Sequence, residues 1–207
     1  GELLVLMLVG MTERGPDAAG RAVFARPTAG ETRLSFFHLH GEPDWHAVNT
    51  AVVDAVPGSH RVEATGRHAI IYTDSDGEAI RALLKERFPG IVGLAAGSRI
   101  QLYKDVGAPA DIAARYHFND LDGTHAVGHT RMATESAVTP DRAHPFTAGR
   151  DFCLVHNGTL SNPHLVRRQL EPLGIRFDTD NDTEAACRFL EWRMREGDTV
   201  DAAIEKG

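Results

Sequence analysis

Three polar blocks, each following or opening a regular element, constrain this chain more than any other feature. They are Gly128-His-Thr-Arg-Met-Ala-Thr134, Val155-His-Asn-Gly158 and Asp180-Asn-Asp-Thr-Glu184. The runs Thr124–Thr130 and Phe152–His156 are apolar enough for strands. Asn162–Leu170 and Thr183–Glu196 read as helices, the second stopped by Gly197. A mixed fold with polar groups gathered at strand ends is the expectation. In this order the blocks offer a cation, oxyanion donors and an anion, the set needed to hold a free amino acid and attack its side-chain amide.

Arg131 is predicted at a strand end, where a guanidinium can fork onto a carboxylate through two parallel hydrogen bonds. A lone arginine is more often a surface ion pair. The neighbouring Thr134 hydroxyl and the downstream His144-Pro-Phe146 favour a binding role. Asn157 and Gly158 offer a side-chain amide and a backbone N–H to one anionic oxygen, with Gly permitting close approach; alone, the pair would read as a plain turn. Asp182 precedes a helix, so its carboxylate either caps helix N–H groups or receives an ammonium, with Asp180 as a rival for both roles.

Cys153 and Cys187 have no adjacent His and no helix N-terminus to lower their pKa values, and both read as packing residues. His38, His40 and His46 are the best candidate metal ligands. The alternation at 38 and 40 would put both rings on one strand face, but no further ligand completes a set, so no metal and no cofactor is expected.

Residues 2–13 read as a buried helix broken at Gly15-Pro16, and Ala22–Ala25 as a short strand. From about 31 to 105 a strand at Leu34–Leu39 is followed by a helix at Asp44–Val56 and strands at 61–65 and 68–73. A helix at Gly77–Phe88 and a strand at Arg99–Tyr103 complete it. This β-α-β-β-α-β order predicts an inserted ferredoxin-like subdomain. A short helix follows near Asp111–Tyr116, and a last helical pattern runs over Val200–Lys206.

The 207 residues, 42% hydrophobic, suffice for one domain core or one domain with an insertion. A net charge of −7 with scattered Lys and Arg argues against a nucleic-acid surface. The longest apolar run, Leu3–Val9, falls short of the roughly 20 residues of a membrane span. It also lacks signal-peptide flanks. With two unpaired cysteines, these features predict a cytoplasmic chain in a reducing compartment.

The blocks in this order, joined by Arg14-Gly-Pro-Asp-Ala-Ala-Gly20 and Ala143-His-Pro-Phe146, resemble the class II glutamine amidotransferases, whose glutaminase domains use an N-terminal nucleophile. The resemblance covers about residues 1–24 and 120–207. It is nearest in flavour to the amidotransferase subunit of glutamate-synthase-like, N-methylglutamate synthase systems. It implies an α+β fold of the N-terminal-nucleophile-hydrolase αββα sandwich type, with residues 1–207 as a type-2 domain incomplete at both ends and interrupted at 31–105. It further implies that Arg131 takes the glutamine α-carboxylate and Asp182 the α-ammonium. Asn157 and Gly158 would form the oxyanion hole, Thr134 would line the pocket, and the Arg14–Asp17 turn would buttress it. The partners implied are glutamine and a synthase subunit that accepts ammonia.

The departures from the pattern are equally definite. The family's N-terminal Cys opens a strand ahead of the first helix, whereas Gly1 is predicted in or near that helix. Pro89-Gly-Ile-Val-Gly93 resembles the missing segment but lacks the Cys. Glu135-Ser136 replaces a more usual pair containing Gly. Two functions therefore stand: a glutaminase module whose nucleophile lies outside this sequence, or a nucleophile-free glutamine-binding, regulatory or scaffolding subunit. An unrelated β-rich domain with chance motifs is the remaining reading.

Overall fold

A computed structural model of the chain describes residues 1–132 and 139–207. The predicted Thr134 and Glu135-Ser136 lie outside the described residues. The chain is a mixed α/β protein with several sheets. A three-stranded antiparallel sheet has the order β6-β1-β7, with β1 at Ala18–Phe24, β6 at Ile100–Val106 and β7 at His125–Arg131. A four-stranded antiparallel sheet has the order β3-β4-β2-β5, from β2 (Thr32–His38), β3 (His60–Thr65), β4 (His68–Thr73) and β5 (Ile91–Gly97). Phe146–Thr147 (β8) and Cys153–Leu154 (β9) form a short hairpin pair.

The helices follow their apolar spacing. In α2 (Trp45–Ala55) the residues Trp45, Val48 and Val52 recur on one face and are buried, and Asp44 caps the N-terminus by accepting from the His46 and Ala47 amides. Helix α3 (Gly77–Arg87) buries Ile80 and Leu84. Both pack on Leu34, Phe36 and Ile71 of the four-stranded sheet. The opposite face of that sheet, through Phe37, Leu94 and Ala95, packs on Ala22, Phe24, Ile100 and Leu102 of the three-stranded one. Strand β2 is therefore buried on both faces, and the two sheets share one core.

Strand β6 joins the sheets in a second way. One edge is laddered to β1, while side chains of the other sheet meet its free edge. Ser35 Oγ accepts the Leu102 amide at 3.0 Å, Gln101 Nε2 donates to the Tyr72 hydroxyl at 2.9 Å, and a His68 ring nitrogen lies 2.9 Å from the Lys104 carbonyl. An edge whose polar groups would otherwise be buried without partners is satisfied this way. At the end of β6 the buried Asp105 carboxylate gathers Arg115 at 2.8 Å and the Tyr116 hydroxyl at 2.6 Å, tying helix α4 (Pro109–Arg115) to the strand.

Several expectations need correction. The sheet of the β-α-β-β-α-β unit is closed by β5, which the sequence did not announce, and the strand predicted at Arg99–Tyr103 is β6, which pairs with β1 instead. Helix α1 (Glu2–Gly10) forms where predicted but is not buried: Leu8 alone is enclosed, while Leu3 is 74% and Leu6 70% exposed. A helix apolar on every side can bury only one stripe when it lies on a single sheet face. Leu4, Val5 and Leu8 supply that stripe against Ala19, Ile112 and Phe118. Strand β1 starts at Ala18, four residues before the predicted Ala22, because partners on both edges hold its small residues extended. His38 ends β2 while His40 lies in the following turn, so the two rings do not share a strand face.

His68 is fully buried among Phe37, Tyr103 and Tyr116, and burial pushes its pKa down to about 4 against a smaller opposing effect of the Lys104 carbonyl. Because the folded value lies below the unfolded one, the unfolded chain binds the extra proton between pH of about 4 and 6.5. Stability should fall as pH drops through that window, by at most about 1.4 kcal/mol per pH unit for this one group. Urea denaturation from pH 7 to 4.5 should show a shallower pH slope in His68→Phe than in the parent chain; identical slopes would contradict the assignment.

Candidate functional site

Strand β7 carries the first polar block and ends at Arg131, as predicted. The turn Arg14-Gly-Pro-Asp17 lies against it: the Asp17 amide donates to the Arg131 carbonyl at 3.1 Å, and the Gly107 amide donates to the Asp17 carbonyl at 2.8 Å. Any side chain at Gly15 would come within 2.6 Å of the Thr130 carbonyl carbon and 2.7 Å of the Arg131 nitrogen, so glycine is needed for this close approach. The turn thus sets the height of the Arg131 backbone.

The Arg131 guanidinium donates to the Arg142 carbonyl at 3.3 Å, and Arg142 in turn pairs with Asp180 at 3.1 Å. Asp182 is the first residue of helix α6 (Asp182–Arg195), but it is not the cap. Asn181 fills that position and accepts the Thr183 amide at 2.8 Å. The Asp182 carboxylate is thereby released from capping, and one of its oxygens accepts the Leu160 amide at 2.9 Å. Asn157 and Gly158 do not end a strand. β9 stops at Leu154, and both residues are exposed in the loop that leads to helix α5 (Pro163–Leu170). That loop is drawn to α6 by Leu160 and by His156, whose Nδ1 is 3.4 Å from the Thr183 hydroxyl. The segments carrying the arginine, the Asn-Gly corner and the acidic helix start are consequently linked through four contacts.

Beneath these groups lies a buried polar layer. Lys104 on β6 is almost fully enclosed, and its Nζ donates to the Asp141 and Ala143 carbonyls at 3.0 Å each. Burial lowers its pKa to about 8, with Asp141, Glu184 and Asp178 opposing. This cation holds the segment that presents Arg142 and His144. The His144 ring lies tilted beside that of His129, with centroids 4.3 Å apart, and burial first, then the neighbouring His129, Lys104 and Arg131, push its pKa down to about 3. Glu184 is buried and accepts from the Asp178 and Thr179 amides at 2.8 Å each and from the Thr179 hydroxyl at 2.7 Å, which fixes the loop ahead of Asp182.

Lys104, Arg142 and the loop-holding role of Glu184 were not anticipated from sequence. For Lys104 a signal existed: it follows Ile100 and Leu102 in the inward phase of β6, where a charge demands a partner. Cys187 belongs to the small core around Phe146 and Ala148, while half-buried Cys153 packs against the core shared by the two sheets, and burial raises the Cys153 and Cys187 thiols to about 11 and about 12. Both are thus protonated packing residues. Among the described residues no group of His, Cys, Asp and Glu side chains is assembled as a metal site, and no helix is long and apolar enough to cross a membrane.

Comparisons with known proteins agree with one another. Residues 93–206 match the family model described as glutamine amidotransferases class-II. The chain is 41% identical over 206 residues to the glutamine amidotransferase-like protein GlxB of Rhizobium meliloti, spanning 99% of this chain and 68% of that protein. A Methanothermobacter thermautotrophicus protein carrying a glutamine amidotransferase name is 31% identical over 217 residues, which cover 100% of this chain and 71% of the relative. The glutamine–fructose-6-phosphate aminotransferase of Shewanella oneidensis is 32% identical over 100 residues, 48% of this chain and 16% of that enzyme. On this footing, the chain belongs to the class II glutamine amidotransferases.

Proposed function

We propose that the chain is a glutaminase module, which releases ammonia from the side-chain amide of glutamine and passes it to a synthase partner. In this reading the Arg131 guanidinium takes the α-carboxylate and Asp182 the α-ammonium. The Asn157 amide and the Gly158 N–H face the oxyanion formed when the amide carbonyl is attacked. The observation that carries the reading is the set of contacts from Arg131 through Arg142 to Asp180, and from Leu160 to Asp182, which links the segments that carry the cation, the anion and the Asn-Gly corner. Two opposite charges held apart by fixed backbone suit a zwitterion. Two N–H donors at an exposed loop suit an oxygen whose charge develops late, where each donor is worth about 3–4 kcal/mol once water is excluded.

The chemistry requires a nucleophile, and neither cysteine of this sequence serves: Cys187 is buried, Cys153 is half-buried against the shared core, and burial pushes both thiols well above neutrality. The glutaminase reading therefore assigns the attack to an N-terminal Cys carried outside this sequence. The same two inert thiols favour one second reading, a glutamine-binding or scaffolding subunit without a nucleophile. The N-terminal residue of the mature natural protein separates them, cysteine for the first and any other residue for the second. Two unpaired cysteines fit a cytoplasmic location.

The domain organisation belongs to the same proposal. We assign residues 1–207 to a type-2 amidotransferase domain of the N-terminal-nucleophile, αββα kind, with an insertion over about 31–105 that supplies the four-stranded sheet. The family match, which begins at residue 93, leaves most of that span outside it.

In the full-length protein, Arg131→Ala should weaken glutamine binding by about 100-fold, the scale of a lost charge-assisted pair. Asn157→Ala should lower kcat by about 100-fold or more with little change in KM. Ammonia release at varied glutamine reads both, and an Arg131→Ala enzyme with unaltered KM and kcat would sink the site assignment. Cys153→Ala should leave turnover nearly unchanged; lost activity in a folded Cys153→Ala variant would show that the nucleophile had been misplaced.

A further inference from the structure

A cleft of about 450 Å³ opens on the side of the molecule where the four-stranded sheet meets the β8–β9 segment and α6. Its walls are the start of α3, strand β5 from Gly93 to Ala96, the stretch Thr147–Arg150, and Asp178 with Arg188. None of Arg131, Asn157, Gly158 or Asp182 lines it, so it is distinct from the site described above.

Three guanidinium groups converge here, from Arg81, Arg150 and Arg188. The Nε atoms of Arg81 and Arg188 are buried and have no hydrogen-bond partner among the described residues. A buried donor left unpaired costs about 1–3 kcal/mol, more on a charged group, so each points to an acceptor that completes it. Arg81 also senses Arg188 as a like charge: burial lowers its pKa most, Glu78 and Asp178 oppose, and the Arg188 cation lowers it further. The Arg81 side chain lies over Gly93, where an added Cβ would come within 2.6 Å of its Nη1, so the glycine leaves the cation room at the cleft floor. Arg150 donates to the Thr32 hydroxyl at 3.1 Å and forms no ion pair among the described residues. Its backbone is nonetheless fixed, because the adjacent Asp151 carboxylate accepts the Ser98, Arg99 and Ile100 amides at 2.8–3.0 Å.

The carboxylates of the cleft do not fill this role. Glu78 and Asp178 have side chains 84% and 71% exposed, so they stand at the rim. Glu78 approaches Arg81 only to 3.7 Å, beyond hydrogen-bond length, and Asp178 reaches an Arg188 terminal nitrogen at 3.1 Å, leaving Nε unpaired. Asp76 is occupied in capping α3 through the Glu78 amide. The rim is acidic while the floor presents unpaired cationic donors.

We propose that this cleft is a second ligand site, which binds a small organic anion through a carboxylate or phosphate group seated between Arg81, Arg150 and Arg188. A narrower recess shares Gly93, Leu94, Thr147, Asp178 and Arg188 with the cleft and reaches Lys104 and Glu184. Arg188 lies 3.7 Å from Glu184, which holds the loop ahead of Asp182. An anion that recruits Arg188 therefore acts on the element that positions Asp182, giving the ligand a route to influence the first site.

The test is isothermal titration calorimetry on the full-length protein in low-chloride buffer, with inorganic phosphate and with succinate as separate probes. Saturable one-to-one binding of at least one probe is expected, and the stronger probe identifies the group the site takes. Arg150→Glu, an exposed position that should fold normally, and Arg81→Gln should each weaken binding at least ten-fold, while Arg131→Ala leaves it intact. Absence of saturable binding by both probes would overturn the proposal. So would binding unaltered in both cleft variants, or binding lost in Arg131→Ala.

Discussion

Strand β6 is the constraint on which the rest of the structure depends. Its backbone is laddered to β1 on one edge, and its other edge is satisfied by Ser35 and His68 from the second sheet. Its inward face contributes Ile100 and Leu102 to the shared core, and the next residue of that phase is Lys104. One seven-residue segment thereby fixes the separation of the sheets and places a buried cation under the site. Burying that ammonium is costly unless it is paired. The two carbonyls it binds belong to the segment that carries Arg142 and His144, so the expense of desolvation is offset by ordering the wall beside Arg131.

The same logic recurs at Glu184. A carboxylate with almost no solvent contact accepts two amides and a hydroxyl from Asp178 and Thr179, and in doing so shapes the approach to α6. Because Asn181 takes the capping role, Asp182 uses its oxygens elsewhere, one accepting the Leu160 amide and the other the Thr183 hydroxyl. Buried charged groups that are hydrogen-bonded to backbone thus hold the loops on which the candidate site residues sit. Further along α6, Arg188 extends the support toward the arginine-lined cleft, so one helix serves both places.

How much of this was legible in the sequence differs by element. Helices α2 and α3 were, because Trp45, Val48 and Val52, or Ile80 and Leu84, repeat at helical spacing beside capping aspartates. Strand β5 was not: Ile91-Val-Gly-Leu-Ala-Ala-Gly97 has little alternation and small residues, and only pairing with β2 holds it extended. The exposed side of α1 was misread because an apolar run does not reveal how many layers will cover it. Arg131, Asn157 and Asp182 were singled out by residue type and order, yet the contacts that link their segments pass through Arg142, Leu160 and His156, whose roles exist only once the loops meet.

The central claim is that Arg131, Asp182 and the Asn157–Gly158 corner serve one amino-acid pocket. The most direct measurement is a crystal structure of the full-length protein with L-glutamate, the product of the proposed reaction. The account predicts the α-carboxylate at about 3 Å from the Arg131 guanidinium and the ammonium at hydrogen-bond distance from Asp182. Glutamate held by other side chains, with Arg131 and Asp182 both facing solvent, would contradict it.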